Sequence, residues 1–344
     1  MSKPPSPKSR ASRAKAAAAA KAAPAGEDAP VPAAPAPATT SRTRRQAALS
    51  DPFGYWLTCG DGEVYAFGAC IVHGTAKDML LGQPIVGAAG TPGIDGYWLA
   101  AGDGSVLTFG DARFHGAANT DSLEFPIAGI ALTPDGGGYW LVASDGAIHA
   151  FGNAGEHGSA RSYPLARPIV GMAVTRSGEG YWLATGDGLV YDFGDAAFEG
   201  CLEGAALVLA GAAAPAGAGS SHGGRSAAGA ADGGQVTGGP GSSGTSPTAD
   251  VIGIAAGGDH GYWLALADGT VAAFGGAPQL GGIDSAELTT PIASIASTAG
   301  RDGYWLVTGG GTVRAFGSAK AMGDAADLPT YQPVVAIAGA SARS

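Results

Sequence analysis

The chain is poor in charge, in sulfur and in long apolar runs. Charged residues are 14% of its 344 residues, below the roughly 25% of ordinary globular chains, which suits many short strands buried on both faces. Three cysteines are too few for a disulfide framework. Cys59 and Cys70 fall in one hairpin about six residues out of register, some ~20 Å apart at ~3.3 Å per residue, beyond disulfide reach. Cys201 lies in another part of the chain, so free, partly buried thiols and a reducing compartment are expected. No apolar stretch reaches membrane-helix length, and none follows the basic N-terminal residues as a signal peptide requires. A cytoplasmic location is the default expectation, or the cell surface if the true start differs. Also missing are a Ser nucleophile elbow, His-Glu-x-x-His, a phosphate loop and EF-hand spacing. No catalytic residue, metal site or cofactor is therefore predicted.

The net charge of −10 is unevenly divided. Residues 1–50 hold nine Lys/Arg and two acids, whereas residues 51–344 hold ten and 27. An acidic body opposes nucleic acid as the main partner, because phosphate contacts dominate such binding. The Ala/Pro/Lys/Arg-rich residues 1–50 cannot bury enough apolar surface to order themselves and read as a disordered tail. A basic arm for nucleic acid or anionic lipid is the sharper alternative for that tail.

What the chain has is glycine, 60 residues of it, and a repeat. Gly-Tyr-Trp-Leu begins at Gly54, Gly96, Gly138, Gly180, Gly261 and Gly303, at intervals of 42, 42, 42, 81 and 42. Asp-Gly and then Phe-Gly follow at fixed offsets in most copies. Within one period, Pro126–Leu132 reads as a small-residue strand and Gly138–Ala143 as a second. Asp145-Gly146 reads as a two-residue type I′ hairpin loop, Ala147–Phe151 as a third strand, and Gly155–Gly158 as a short fourth. Three or four antiparallel strands per ~42 residues is the plan of a β-propeller blade. The fold expected is all-β, a seven-bladed propeller over residues 51–344. The 81-residue interval would hide a degenerate fifth blade in 201–250, with Ala231–Val236 as its worn hairpin. Six blades with a Gly/Ser-rich insertion is the alternative. Pro333–Ala338 has the composition of the missing innermost strand of the first blade, so the C-terminus is expected to close the ring.

The run Gly138–Gly146 with Phe151-Gly152 resembles a repeat of bacterial, often cell-surface, propeller-like proteins of mostly unknown function. More distantly it is similar to Tyr-Val-Thr-Asn and WD propeller repeats. The resemblance implies the fold and leaves the activity open.

Candidate sites follow from the ring. The six tryptophans, at one repeat position, are either sugar-stacking platforms or inter-blade core, and the core reading is preferred because Tyr and Leu repeat beside them. His73, His115 and His157 share a position on the outer strand, on the order of 17 Å apart at ~4.8 Å per strand spacing, too far to share an ion. Only the loops flanking the innermost strands converge. One mouth is expected to show Gln83, Glu124, Phe125, Arg167, Thr290 and Gln332, an asymmetric polar set suited to a ligand. The other would show Asp95, Asp135, Glu179, Asp259 and Asp302, a rim for a cation or basic peptide, or ordinary turn formers. The function expected is a monomeric, non-catalytic module binding protein or glycan at a channel mouth. A lyase or hydrolase acting in the channel is the alternative.

Overall fold

The computed structural model describes residues 53–120, 123–202, 236–237 and 249–341. The basic tail and nearly all of the proposed fifth blade lie outside the described residues. The described chain is all-β, built of six small antiparallel sheets that repeat one plan. The first sheet holds β1 (Phe53–Cys59) and β2 (Val64–Gly68); then come β3 (Ile85–Gly90), β4 (Gly96–Ala101) and β5 (Val106–Gly110). The third has β6 (Ile127–Leu132), β7 (Gly138–Ala143) and β8 (Ile148–Gly152), and the fourth β9 (Ile169–Val174), β10 (Gly180–Thr185) and β11 (Val190–Gly194). After β12 (Val236–Thr237), the fifth has β13 (Val251–Gly257), β14 (Gly261–Leu266) and β15 (Val271–Phe274). The sixth has β16 (Ile292–Ser297), β17 (Gly303–Thr308) and β18 (Val313–Gly317), and β19 (Val334–Ser341) ends the chain. Among the described residues no helix is long and apolar enough to cross a membrane.

The C-terminal β19 pairs antiparallel with β1, Tyr55 opposite Gly339 and Leu57 opposite Ile337. It thus takes the place in the first sheet that β3, β6, β9, β13 and β16 take in theirs. These six first strands contact one another in sequence, β9 meets β13 directly, and β19 touches both β16 and β3. Their small residues are a packing requirement. A Cβ on Gly87 would stand 3.3 Å from the Ile130 Cγ2, and one on Gly253 3.3 Å from the Ile295 Cγ2.

The middle strand of every sheet is buried along its whole length, apart from the half-buried Phe53 that opens β1. Alternation of polar and apolar residues is absent there because each sheet has a neighbour on both faces. Tyr points one way and Trp the other, and each Trp meets the Tyr of the next sheet. Ring centroids are 5.2 Å apart for Trp56–Tyr97, 5.4 Å for Trp182–Tyr262 and 5.5 Å for Trp305–Tyr55.

Two features differ from the sequence expectation. The Asp-Gly hairpins are not two-residue type I′ loops. Gly62 N–H donates to Cys59 O, Cys59 N–H donates to Glu63 O, and Gly62 alone has positive φ (83°). This is a three-residue loop, a type I turn closed by a left-handed glycine, in which Asp61 Oδ1 accepts from Glu63 N–H. The expected fourth strand is also absent: residues 111–117 and 153–159 are irregular connectors. Their backbone groups are satisfied by side chains instead of a ladder. Trp98 Nε1 donates to Arg113 O and Trp140 Nε1 to Gly155 O, while Tyr139 Oη donates to Gly116 O of the preceding connector. All six repeats make both bonds, always with the carbonyl fifteen residues after the Trp. The Tyr bond reaches back 23 residues except at Tyr262, which bonds Gly200, and at Tyr55, which bonds Gly323.

The expected worn hairpin Ala231–Val236 lies, but for Val236, outside the described residues. Val236–Thr237 belongs to the fifth sheet, paired with Val271 and Ala272 at its outer edge, and starts no sheet of its own.

Candidate functional site

The loops that lead into the first strands lie at one end of the sheets. Ile85 N–H donates to Gly60 O, Ile127 to Gly102 O, Ile169 to Ser144 O, Val251 to Gly186 O, Ile292 to Ala267 O and Val334 to Gly309 O. Each strand is thereby pinned to the hairpin of the preceding sheet. Val251 follows Asp250, and before each of the other five strands stands a proline, which holds its predecessor extended. That predecessor is Gln83, Phe125, Arg167, Thr290 or Gln332.

These residues do not converge on one point. Arg167 pairs with Asp250, and the Thr290 Oγ1 accepts from Gly310 N–H at 2.9 Å. Gln332 is exposed. Gln83, Glu124 and Phe125 do come together, with Gly102, Asp103, Leu123 and Pro126, around a cleft of about 290 Å3. A second hollow of about 230 Å3 lies across the Glu124–Phe125 loop, walled by Asp145, His149 and Arg161. Arg161 crosses it to pair with Glu124, and its Nε stands 3.2 Å from the Asp145 Oδ2.

Sequence reasoning placed Phe125 at this end but missed the rest of its apolar surface. Leu80 is wholly exposed (105%) and Tyr331 is 78% exposed; Met79, Phe125 and Leu328 are also outside. They sit on three loops, 77–84, 119–126 and 326–333, leading into β3, β6 and β19, of which β3 neighbours the other two. The Lys77 ammonium lies 4.8 Å from the Tyr331 ring centre and pairs with Glu63. The signal was present in the sequence, because Leu80 and Tyr331 depart from the small and polar residues at equivalent loop positions.

At the opposite end the acids are turn formers more than a rim. Asp135 accepts from Gly137 N–H, the Thr133 hydroxyl and the Asn153 amide, which hold its carboxyl below the usual range. Asp302 is lowered likewise, by the hydroxyls of Ser318 and Thr298. The Asp259 Oδ1 pairs with the Arg176 Nε at 3.4 Å. Asp95 and Glu179 are exposed, and their backbone carbonyls accept from Asp111 and Asp195. Two guanidiniums therefore stand among the acids where none was expected. Arg301, at φ 60°, sends its Nη2 to Val174 O at 3.0 Å, past the end of β13.

All six tryptophans are at most 2% exposed and leave no ring face for a sugar. His115 and His157 stand edge-on to Tyr139 and Tyr181 of the next sheet, and His73 lies tilted against Tyr97. Cys59, Cys70 and Cys201 are free; burial pushes the first two thiols up to about 11 and 12. No family model matches this chain, and no curated protein matches it.

Proposed function

We propose that the six sheets form a six-bladed β-propeller closed by β19, and that it is a non-catalytic binding module. The partner is held on the face of the loops leading into the first strands. The observation that carries this is the exposed apolar group Met79, Leu80, Phe125, Leu328 and Tyr331 on three adjacent loops, beside a cleft. Exposed apolar side chains gathered on adjacent loops mark interaction sites, whereas Ile71, Val72 and Phe114 are exposed on the connectors.

Six blades, instead of the seven expected from sequence, are supported by three contacts. Trp182 packs on Tyr262, Tyr262 bonds Gly200, and β9 meets β13, so the fourth and fifth sheets are already neighbours. On this reading the chain leaves the fourth connector at Leu202 and re-enters at Val251 on the binding face, with 48 residues between them where 77–84 or 161–168 uses eight. In repeat proteins such insertions gather on one face, often the binding one. The likeness to bacterial propeller-like repeats belongs to the same reading. A channel enzyme finds less support: β3, β6, β9, β13, β16 and β19 carry no titratable side chain.

The test is to pan the full chain against a displayed peptide library and a glycan array, alongside the double variant Leu80→Asp, Tyr331→Asp. The reading expects ligands that lose at least tenfold in affinity to the variant while its melting temperature holds. Ligands that bind both proteins equally would overturn the assignment of the face.

A further inference from the structure

We infer that this face takes a protein segment that presents a lysine or arginine between apolar side chains, with the cation entering the cleft at Asp103. The inference rests on the proposed binding face and names its partner. The apolar part follows from Leu80 on the loop that brings Gln83 to the cleft, Tyr331 on the loop into β19, and Leu123 and Phe125 on the cleft wall. A glycan can stack on the Tyr331 ring but would leave Met79 and Leu80 without an apolar counterpart, whereas a peptide supplies one.

The charge follows from comparing the repeats with each other. The position after the buried alanine that closes each connector is Lys77 in the first repeat, Asn119 in the second and Arg161 in the third. Lys77 reaches back to Glu63 in its own hairpin, and Arg161 to Asp145 in its own. Asn119 instead donates its amide to the Ser105 hydroxyl at 3.0 Å. The Asp103 Oδ1 accepts from Ser105 N–H at 3.0 Å, and no Lys or Arg among the described residues pairs with this carboxylate. Two repeats thus bring their own cation to the hairpin, and the second does not. Its hairpin is also the one that opens on the cleft.

The surroundings have the same sign. Asp78 and Asp327 are exposed on the loops that carry the apolar group, while Lys77 and Arg161 are committed to Glu63 and Glu124. Complementary charge of this kind sets partner choice and register. The apolar contacts supply the burial, and a long basic side chain lays its methylenes along Phe125 with its head at the acid.

The experiment selects peptides from a random displayed library on the full chain, then measures them by fluorescence anisotropy. Selected peptides are expected to share a Lys or Arg flanked by aliphatic or aromatic residues. Asn119→Arg, which supplies the cation from within as the third repeat does, should weaken them at least tenfold with unchanged melting. Asp103→Asn should do the same, and Asp268→Asn in the fifth repeat should not. If selected peptides lack a basic residue yet depend on Leu80 and Tyr331, the face stands and the basic partner is wrong. Peptides indifferent to all these variants, or no peptides alongside glycan ligands, overturn both.

Discussion

Removing one hydroxyl at a time from the repeated tyrosines measures whether the last repeat is joined to the first. Tyr181 Oη donates to Gly158 O at 2.5 Å and accepts from His157 N–H at 3.3 Å. Tyr55 Oη donates to Gly323 O at 2.5 Å and accepts from Met322 N–H at 3.0 Å, across the two ends of the chain. Tyr→Phe keeps the ring and its packing but leaves a carbonyl and an amide without partners. Each substitution should therefore cost about 1–3 kcal/mol. With a urea slope of about 3 kcal/mol per molar, the midpoint falls by roughly 0.3–1 M. Tryptophan fluorescence reports the transition well, since all six indoles are buried. Tyr55→Phe and Tyr181→Phe should lose equal amounts. A Tyr55→Phe midpoint at the wild-type value, with Tyr181→Phe shifted, would refute the junction of the ends. Two unshifted variants would show that these hydroxyls do not hold the connectors.

Gly158 has φ 131° and an added Cβ would lie 2.5 Å from the Phe193 Cδ1, so Gly158→Ala should destabilise by more than about 1 kcal/mol. Gly93, with open space around its Cβ position, is the control, and calorimetric melting compares them. The Asp302 carboxyl is lowered in the fold by Ser318 and Thr298, so its contribution is fully present above the unfolded value near ~4. It is lost as pH falls through the lower folded value. Melting temperature measured from pH 5 to pH 2 should therefore fall more steeply for wild type than for Asp302→Asn, and parallel curves would remove this carboxylate from the account.

The strands were legible because their signals are local. Gly-Tyr-Trp-Leu, the Asp-Gly turn and the small-residue run before each proline specify three strands per repeat without knowledge of the neighbours. The C-terminal strand was legible for the same reason, since Val334–Ala338 has the composition of β3 and β6. The connectors were not, because residues such as Arg113–Gly116 take their shape from Trp98 in their own sheet and Tyr139 in the next. A ladder of local alternation was sought where two distant side chains determine the path. The hairpin type was misread because Gly60 widens the loop by one residue, and Asp-Gly alone does not record that. Of the candidate residues, Gln83, Glu124 and Phe125 share a cleft, whereas Arg167 and Thr290 are spent on Asp250 and Gly310. Arg301 escaped notice because it occupies a left-handed position that glycine fills at Gly136 and Gly178.

The double pinning of each connector has a consequence for where this chain tolerates extra length. By Leu202 the fourth connector has made its bond to Trp182 through Ala197 O, to Tyr262 through Gly200 O, and to Gly188 through its own N–H. The next fixed points among the described residues are Val236 and Thr237, paired with Ala272 and Val271 at the edge of the fifth sheet, and then Val251, on Gly186 O. Nothing repeated lies between these anchors, so their separation along the chain is free to grow. By the general scaling of loop closure, going from the eight residues of the short loops to the 48 of 203–250 costs at most about 1.6 kcal/mol more in entropy, at ~0.6 kcal/mol per doubling. The same arithmetic holds for the five short loops, 77–84, 119–126, 161–168, 284–291 and 326–333, each of which follows a connector fixed in the same way. The molecule is thus a socket with six ports, one of them already extended. A foreign domain spliced into 203–235, ahead of the Val236–Thr237 pairing, would leave the bonds that hold the described sheets together untouched.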